Sequence, residues 1–265
     1  EFHIWMLGMT AQWMGIMGEH ANSVAPLLVS TEQGYLKSTF CKSLLPAALQ
    51  RYYMDKVDLT SEGRVERRLA EIGLLNLDEF DKYPPTKMPL LKNLMQMASL
   101  SLCKAYQKKH RSLPRIASFI GISNRKELLT DPTGSRSFIC VMVKRPIDCN
   151  GIEHKQIYAQ LKAEILSGER YWFTKEEEQV LQKNNLSFYR QGPVEDVLRS
   201  CYRSVEKGEE GELRSAAEIF QCLKKKNPSA MRGANPASLA QILVTVGIER
   251  KHTKFGNVYR VVKIG

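Results

Sequence analysis

No CxxC pair occurs among the six cysteines, Cys41, Cys103, Cys140, Cys149, Cys201 and Cys222. Neither a zinc scaffold nor a disulfide framework is expected, and reduced thiols, mostly in the core, are the simpler reading. No apolar run approaches the roughly 20 residues that a membrane span requires. The opening EFHIWMLGM lacks the basic-then-apolar order of a secretory signal. These absences lead to the expectation of a cytoplasmic protein with no membrane partner. The initiator methionine is missing too, which reads as an excised piece of a longer protein. Positive charge, by contrast, is plentiful. With 39 Lys and Arg against 28 Asp and Glu, the formal charge is +11, which suits a nucleic acid or another polyanion and equally describes a lysine-rich soluble surface. The 265 residues, 43% hydrophobic and 25% charged, suffice for one large domain, or for a medium and a small one, each with a core.

Two glycines are missing where the next feature needs them. The stretch VSTEQGYLKSTF, Val29 to Phe40, follows the apolar run APLLV and leads into a helical continuation. A phosphate-binding loop of the pattern G-x-x-x-x-G-K-[ST] would put its glycines at Thr31 and Leu36. The lysine and hydroxyls, Lys37, Ser38 and Thr39, are in place, and Gly34 supplies one position free to take positive φ. By itself the segment is either an altered nucleotide loop or a strand-to-helix corner with a hydroxyl cap.

The surrounding text gives it context. A loosely helical segment from Trp5 precedes the strand APLLV, and a helix is expected from Phe40 to about Leu49, stopped near Pro46. LTSEGRVERRLAEI, Leu59 to Ile72, reads as a helix with apolar Val65, Leu69 and Ile72 on one face. LLNL then forms a buried strand ending in Asp78 and Glu79, at the edge where open α/β sheets bind ligands. After Pro84 and Pro85, residues 87–99 read as helix and 104–115 as a basic loop. IASFIGISN forms a strand ending at Asn124, RKELLTDPTGSR a short helix and turn, and SFICVMVKR another strand. That order predicts a three-layer α/β domain over residues 1–190. Helices follow at 157–166 and 175–181, and a linker around Gly192. In residues 195–265, helices at LRSCYRSV, RSAAEIFQCLKKK and SLAQILVTVG precede strands IERKHT and NVYRVVKI around the turn FGN, the order of a small winged-helix-like module.

Hydrolysis of ATP needs a cradle and lysine for phosphates, a hydroxyl and carboxylate for Mg²⁺, and a group that handles water. Gly34, Lys37, Ser38 and Thr39 are candidates for the cradle, with Lys37 on the β- and γ-phosphates. Ser38 and Asp78 are candidates for Mg²⁺, Glu79 for the base, Asn124 for orienting water, and Arg136 for neutralising charge across a subunit boundary. Each has a plain alternative: a solvated sheet edge for Asp78 and Glu79, a helix cap for Asn124, an ion pair with Asp131 for Arg136. In the tail, Lys224, Lys225, Lys226, Arg232, Arg250, Lys251, Lys254 and Arg260 are candidates for DNA phosphates. The three lysines alone could merely complement a helix dipole.

GYLKSTF, LLNLDEFD and FIGISNRKELLTDPTGSRSF together resemble the virulence-associated protein E family of P-loop ATPases. These are phage- and plasmid-borne relatives of superfamily 3 helicases and of primase-helicases. The likeness covers most of residues 20–180, and the tail resembles the C-terminal domain of unknown function (DUF3874-like) in Bacteroides-type members. The resemblance implies a P-loop NTPase fold of helicase or AAA+ type, ATP and Mg²⁺ as ligands, DNA as partner, a homo-oligomeric ring and a preceding primase-like region. It assigns Lys37 and Ser38 to Walker A, Asp78 and Glu79 to Walker B, Asn124 to sensor 1 and Arg136 to the arginine finger, with Lys104 or Arg115 as a further basic site. The family's loop reads GxQGxGKST. Here Leu36 stands where its last glycine belongs, so the alternative is a non-hydrolysing DNA-binding or assembly protein with a degenerate loop.

Overall fold

The computed structural model describes residues 1–16, 18–57, 59, 62–103, 110–130, 135–206, 208–254 and 256–264, and the chain divides into two units, Glu1–Tyr189 and Arg190–Gly265. The first unit opens with α1 (Phe2–Trp13), β1 (Ala25–Val29), α2 (Lys37–Ser43), β2 (Tyr53–Asp55), α3 (Glu62–Leu69), β3 (Leu74–Leu77) and α4 (Met88–Gln96). It continues through β4 (Ser99–Cys103), β5 (His110–Pro114), β6 (Ser118–Ser123), β7 (Phe138–Met142), α5 (His154–Leu166) and α6 (Lys175–Asn184).

A five-stranded sheet of order β2-β3-β6-β1-β7, parallel throughout, is the middle layer. Its central strands read as continuous apolar runs because both faces are covered. Leu27 and Val29 of β1 join α3 and α4 in one core, through Val65, Leu69, Leu91, Leu94 and Met95. Leu28, one step along, joins α1, α2, α5 and α6 through Trp5, Leu7, Cys41, Leu161, Ile165 and Leu181. This period of two makes the three layers. Each such leucine contributes roughly 1.5–3 kcal/mol on full burial. In β6, flanked by β1 and β3, a Cβ on Gly121 would come within 2.6 Å of the Leu27 side chain, so only glycine fits there without a shift.

The chain leaves β1 toward β2 at one edge and later crosses back over β1 to reach β7. The carboxyl ends of β1, β6 and β3 thus open on a crevice of the kind that binds ligands in such sheets. At the amino end, Arg115 is fully buried. Its guanidinium donates to the carbonyls of Met97 (2.6 Å), Met95 (2.8 Å), Asn22 (3.3 Å) and Ala117, and burial lowers its pKa to about 9. That corrects the expectation of a basic residue near ligand: Arg115 is a structural clamp at the opposite edge. Lys104 lies outside the described residues.

Other expectations shift as well. Residues 110–114, read as basic loop, pair with β4 in an antiparallel hairpin. The short helix expected from Arg125 does not form over 125–130, because the amides of Leu128 and Leu129 both donate to Phe188 O at 3.0 Å. The helix after the loop begins at Lys37 and ends at Ser43, and a 3-10 turn takes over at Ala47–Tyr52.

The second unit comprises α7 (Pro193–Cys201), β8 (Tyr202–Ser204), β9 (Glu212–Ser215), α8 (Ala216–Lys226), α9 (Pro236–Thr245), β10 (Glu249–Thr253) and β11 (Gly256–Lys263). β11 pairs antiparallel with β10, β9 and β8, and the helices close over its Tyr259 and Val261. Short strands replace the ends of two expected helices, at Tyr202–Ser204 and Glu212–Ser215. Ser215 then caps α8 through a reciprocal box with Glu218, a signature of a helix start.

Candidate nucleotide site

The loop after β1 is held by its own backbone and hydroxyls. Ser30 Oγ donates to Glu32 O at 2.6 Å, and Gly34 takes φ 81°. Leu36 takes φ 58°, ψ 24°, the left-handed conformation that glycine adopts more easily. Its side chain stays 45% exposed, so a leucine occupies this position without blocking the turn. α2 starts at the next residue. Lys37 is buried, 6% exposed. Its Nζ donates to Asn124 Oδ1 at 2.9 Å and reaches Glu32 O at 3.5 Å. Burial lowers its pKa. Ser38 and Thr39 are exposed on the first turn of α2.

Asn124 directly follows β6, whose end is tied to the loop by Ser30 N donating to Ser123 O at 3.1 Å. The structure therefore brings together Lys37 and Asn124, residues 87 positions apart. The acids lie beyond β6, after β3. Glu79 has φ 52°, ψ 46°, and Lys56, just past β2, has φ 64°. Backbone strain of this sort, outside glycine, clusters at functional sites. Lys56 Nζ stands 3.7 Å from Asp78 Oδ2 and 3.7 Å from Glu79 Oε2, while Lys82 Nζ stands 2.5 Å from Glu79 Oε1. The Lys82 hydrogen bond, with weaker attraction from both lysines, holds the Glu79 carboxyl below its usual range. An open cleft of about 270 Å³ is lined by Lys56, Val57, Asp78, Glu79, Lys82, Tyr83 and Pro84. Asp78 also lies close enough to α2 that its charge, after burial and Asp55, helps to raise the Cys41 thiol.

Sequence reasoning passed over Asp81. It accepts from Ser123 Oγ at 2.9 Å and forms an ion pair with Arg125, Nε to Oδ2 3.5 Å, and so ties the turn after β3 to the turn after β6. Its only signal was the last acid of LDEFD. Asp55, another missed acid, accepts from Tyr53 OH at 2.7 Å and from Asn76 Nδ2 at 2.9 Å.

The residues suit Mg²⁺ in one way only. Among the described residues no three His, Cys, Asp or Glu side chains form a cage, but Mg²⁺ ordinarily takes one or two protein oxygens and completes its shell with phosphate and water. An exposed Ser38 hydroxyl and a partly exposed Asp78 carboxylate are the donors that such a shared shell uses.

Arg136 is placed apart. It lies in a 3-10 turn, Ser135–Ser137, just before β7, and Phe138 pairs with Ala25 at the start of β1. That is the amino edge of the sheet, away from Lys37. Its Nη1 is 3.6 Å from Glu178 Oε2. The alternative partner, Asp131, lies outside the described residues.

In the second unit, 14 Lys and Arg meet 8 Asp and Glu over residues 190–265. Lys224, Lys225 and Lys226 are exposed on the last turn of α8, and Arg232, Arg250 and Lys254 are exposed too. Lys251 lies 3.8 Å from Glu249. Arg260 lies 3.6 Å from Glu249 and donates to Glu209 O at 3.1 Å. Arg260 thus lines an acidic cleft of about 620 Å³ with Glu206, Glu209, Glu210 and Glu249. Lys251 and Arg260 are already engaged by acids, while α9 carries no charge at all.

Comparison with known proteins follows the same division. A sequence profile for the virulence-associated protein E-like domain matches residues 2–190, and one for a domain of unknown function from a B. theta gene (DUF3874) matches residues 191–261. No curated protein matches the chain. Among solved structures, the apo NrS-1 C-terminal region (305–718) is similar at 11% identity and a TM-score of 0.43, covering 100% of this chain and 71% of that one. An A-form apo structure of that region gives 12%, 0.42, 100% and 70%. No helix among the described residues is long and apolar enough to cross a membrane.

Proposed function

We propose, from the premise that this chain belongs to the virulence-associated protein E-like family, that residues 1–190 bind and hydrolyse ATP as the helicase-like domain of a mobile-element or phage-derived DNA replication protein. The observation that carries this reading is the 2.9 Å bond between Lys37 and Asn124. It joins the lysine after β1 to the polar residue after β6, with Asp78 and Glu79 following the next strand over.

In this reading Lys37 exchanges Asn124 for the phosphates, and Gly34 and Thr39 shape the cradle around them. Ser38 and Asp78 hold Mg²⁺, which neutralises phosphate charge when bound with the nucleotide. Asn124, released, orients the attacking water. Glu79 must first part from Lys82, because a carboxylate held below its usual pKa is a poor base. Arg136, at the amino edge, serves a neighbouring subunit's nucleotide in an oligomeric ring. The second unit holds DNA phosphates through its exposed cations.

A second reading, a non-hydrolysing DNA-binding or assembly protein, is favoured by one observation: Glu79 is neutralised by Lys82 at 2.5 Å. Calorimetric titration with Mg-ATP, alongside phosphate release, tests both. Wild-type binding lost in Lys37→Ala, with turnover, supports the first reading. DNA binding without nucleotide binding selects the second.

A further inference from the structure

We infer that Lys144 and Arg145 form a second cationic arm for the polyphosphate of a nucleoside triphosphate, compensating a loop that has only one lysine and lacks its usual glycines. This inference rests on the nucleotide reading and adds residues to it.

β7 lies next to β1, with Met142 paired to Val29 at the carboxyl ends of both strands. Beyond that pair the two chains stay together. Val143 N donates to Val29 O at 2.7 Å, and Ile147 N donates to Tyr35 O at 3.2 Å. Residues 144–146 are therefore pinned at both ends against the loop from Ser30 to Lys37, at about one strand spacing of 4.8 Å where pairing ends. The following helix fastens the far side of α2, with His154 Nε2 2.6 Å from Ser43 O and Tyr158 OH donating to Leu44 O at 2.7 Å. Pro146, between the two pins, disfavours helical backbone at Arg145, where the chain bends.

Lys144 and Arg145 are exposed, and among the described residues neither has a hydrogen-bond or ion-pair partner. The nearest acid in sequence, Asp148, is occupied by Asn150, which donates through its backbone N and its Nδ2, each at 3.0 Å. Of the other cations after β2, β3 and β6, Lys56 and Lys82 stand on Asp78 and Glu79 and Arg125 on Asp81, while Lys126 is a single exposed lysine after β6. α2 has seven residues, so few peptide dipoles add to the field at its start. A ligand carrying several negative charges then relies on side-chain cations, and Lys144 and Arg145 are an unengaged pair whose backbone is held against the loop that leads to Lys37. Arginine adds a planar fork suited to two phosphate oxygens.

The test is calorimetric titration of Mg-ATP into the full chain at low and high salt. Lys144→Ala/Arg145→Ala should bind about tenfold more weakly at low salt, and the gap to wild type should narrow at high salt as screening removes exposed-charge attraction. Lys144→Arg/Arg145→Lys should keep most of the affinity. Lys155→Ala/Lys162→Ala, which removes two exposed charges from α5, should change nothing. If wild type binds and Lys37→Ala does not, yet the 144/145 double alanine variant matches wild type or the α5 control loses as much, the second arm is wrong while the nucleotide reading stands. A wild type that binds no Mg-ATP overturns both.

Discussion

Substitution of Leu36 measures the strain in the candidate loop. In the left-handed region a Cβ crowds the following carbonyl oxygen, at a cost of roughly 1–2 kcal/mol that glycine does not bear. Leu36→Gly relieves that crowding. It also gives up about half of a leucine's burial, on the order of 1 kcal/mol, and adds about 0.5–1 kcal/mol of freedom to the unfolded chain. The terms nearly cancel, so glycine against wild type is uninformative. Leu36→Ala loses the same burial and keeps the crowded Cβ, which makes alanine the proper reference. The glycine variant should be more stable than the alanine variant by about 0.5–1 kcal/mol, a roughly two- to fivefold change in the folded-to-unfolded ratio. In a unit of this size that corresponds to a midpoint shift of about 1–4 °C. Trp5, Trp13 and Trp172 all lie in the first unit, so tryptophan fluorescence in a urea titration of the full chain follows that unit alone. An alanine variant as stable as the glycine variant would refute the claim that Leu36 carries strain.

Glu79→Gln should leave Mg-ATP affinity within about twofold and stop phosphate release, since it removes the base while keeping its size. A fully active Glu79→Gln protein contradicts the assignment. Mixing Lys37→Ala with Arg136→Ala protein should restore part of the turnover, because some interfaces regain both residues, an arginine in trans being worth about 10³-fold or more. A mixture no better than either variant, in a protein that stays monomeric, removes the trans role. Full-chain binding to DNA should weaken steeply with salt, with a slope near −0.9 per phosphate contact on duplex. Lys225→Ala/Arg250→Ala/Lys254→Ala should flatten that slope by about two to three contacts, read by fluorescence anisotropy, and an unchanged slope would move the DNA surface elsewhere.

The residues whose position was plain in the sequence are those at strand ends. Apolar runs such as LLNL and ASFIGIS are buried on both faces, so their limits are sharp and the polar residues beyond them, Asp78 and Asn124, could be placed. The hairpin β4–β5 was hidden because HRSLP carries basic and turn-forming residues, and its partner strand, not its own propensity, makes it extended. The strands at Tyr202–Ser204 and Glu212–Ser215 are too short for a period of two to declare itself. Arg125 to Thr130 has helical composition, yet Phe188 O claims the amides of Leu128 and Leu129, a tertiary contact that no local pattern encodes. Asp81, Lys56 and the burial of Arg115 were illegible for the same reason. Their roles exist only once distant segments meet.

The seam around Arg115 bears on how separable the candidate nucleotide site is. The guanidinium reaches the carbonyl of Asn22. Asn22 in turn donates through its side chain to Trp5 O and Ser118 Oγ and through its backbone N–H to Gln12 Oε1, while Gln12 Nε2 donates to Ala117 O at 2.5 Å. Residues upstream of every motif therefore complete the hydrogen bonding beneath the sheet. A fragment cut to start at Ala25 would carry Lys37, Asp78, Glu79, Asn124 and Arg136 and would still leave a buried cation short of an acceptor and Leu28 without the Trp5 helix over it. The motif set is not a portable cassette. In any transplant into another protein, the first two dozen residues travel with it.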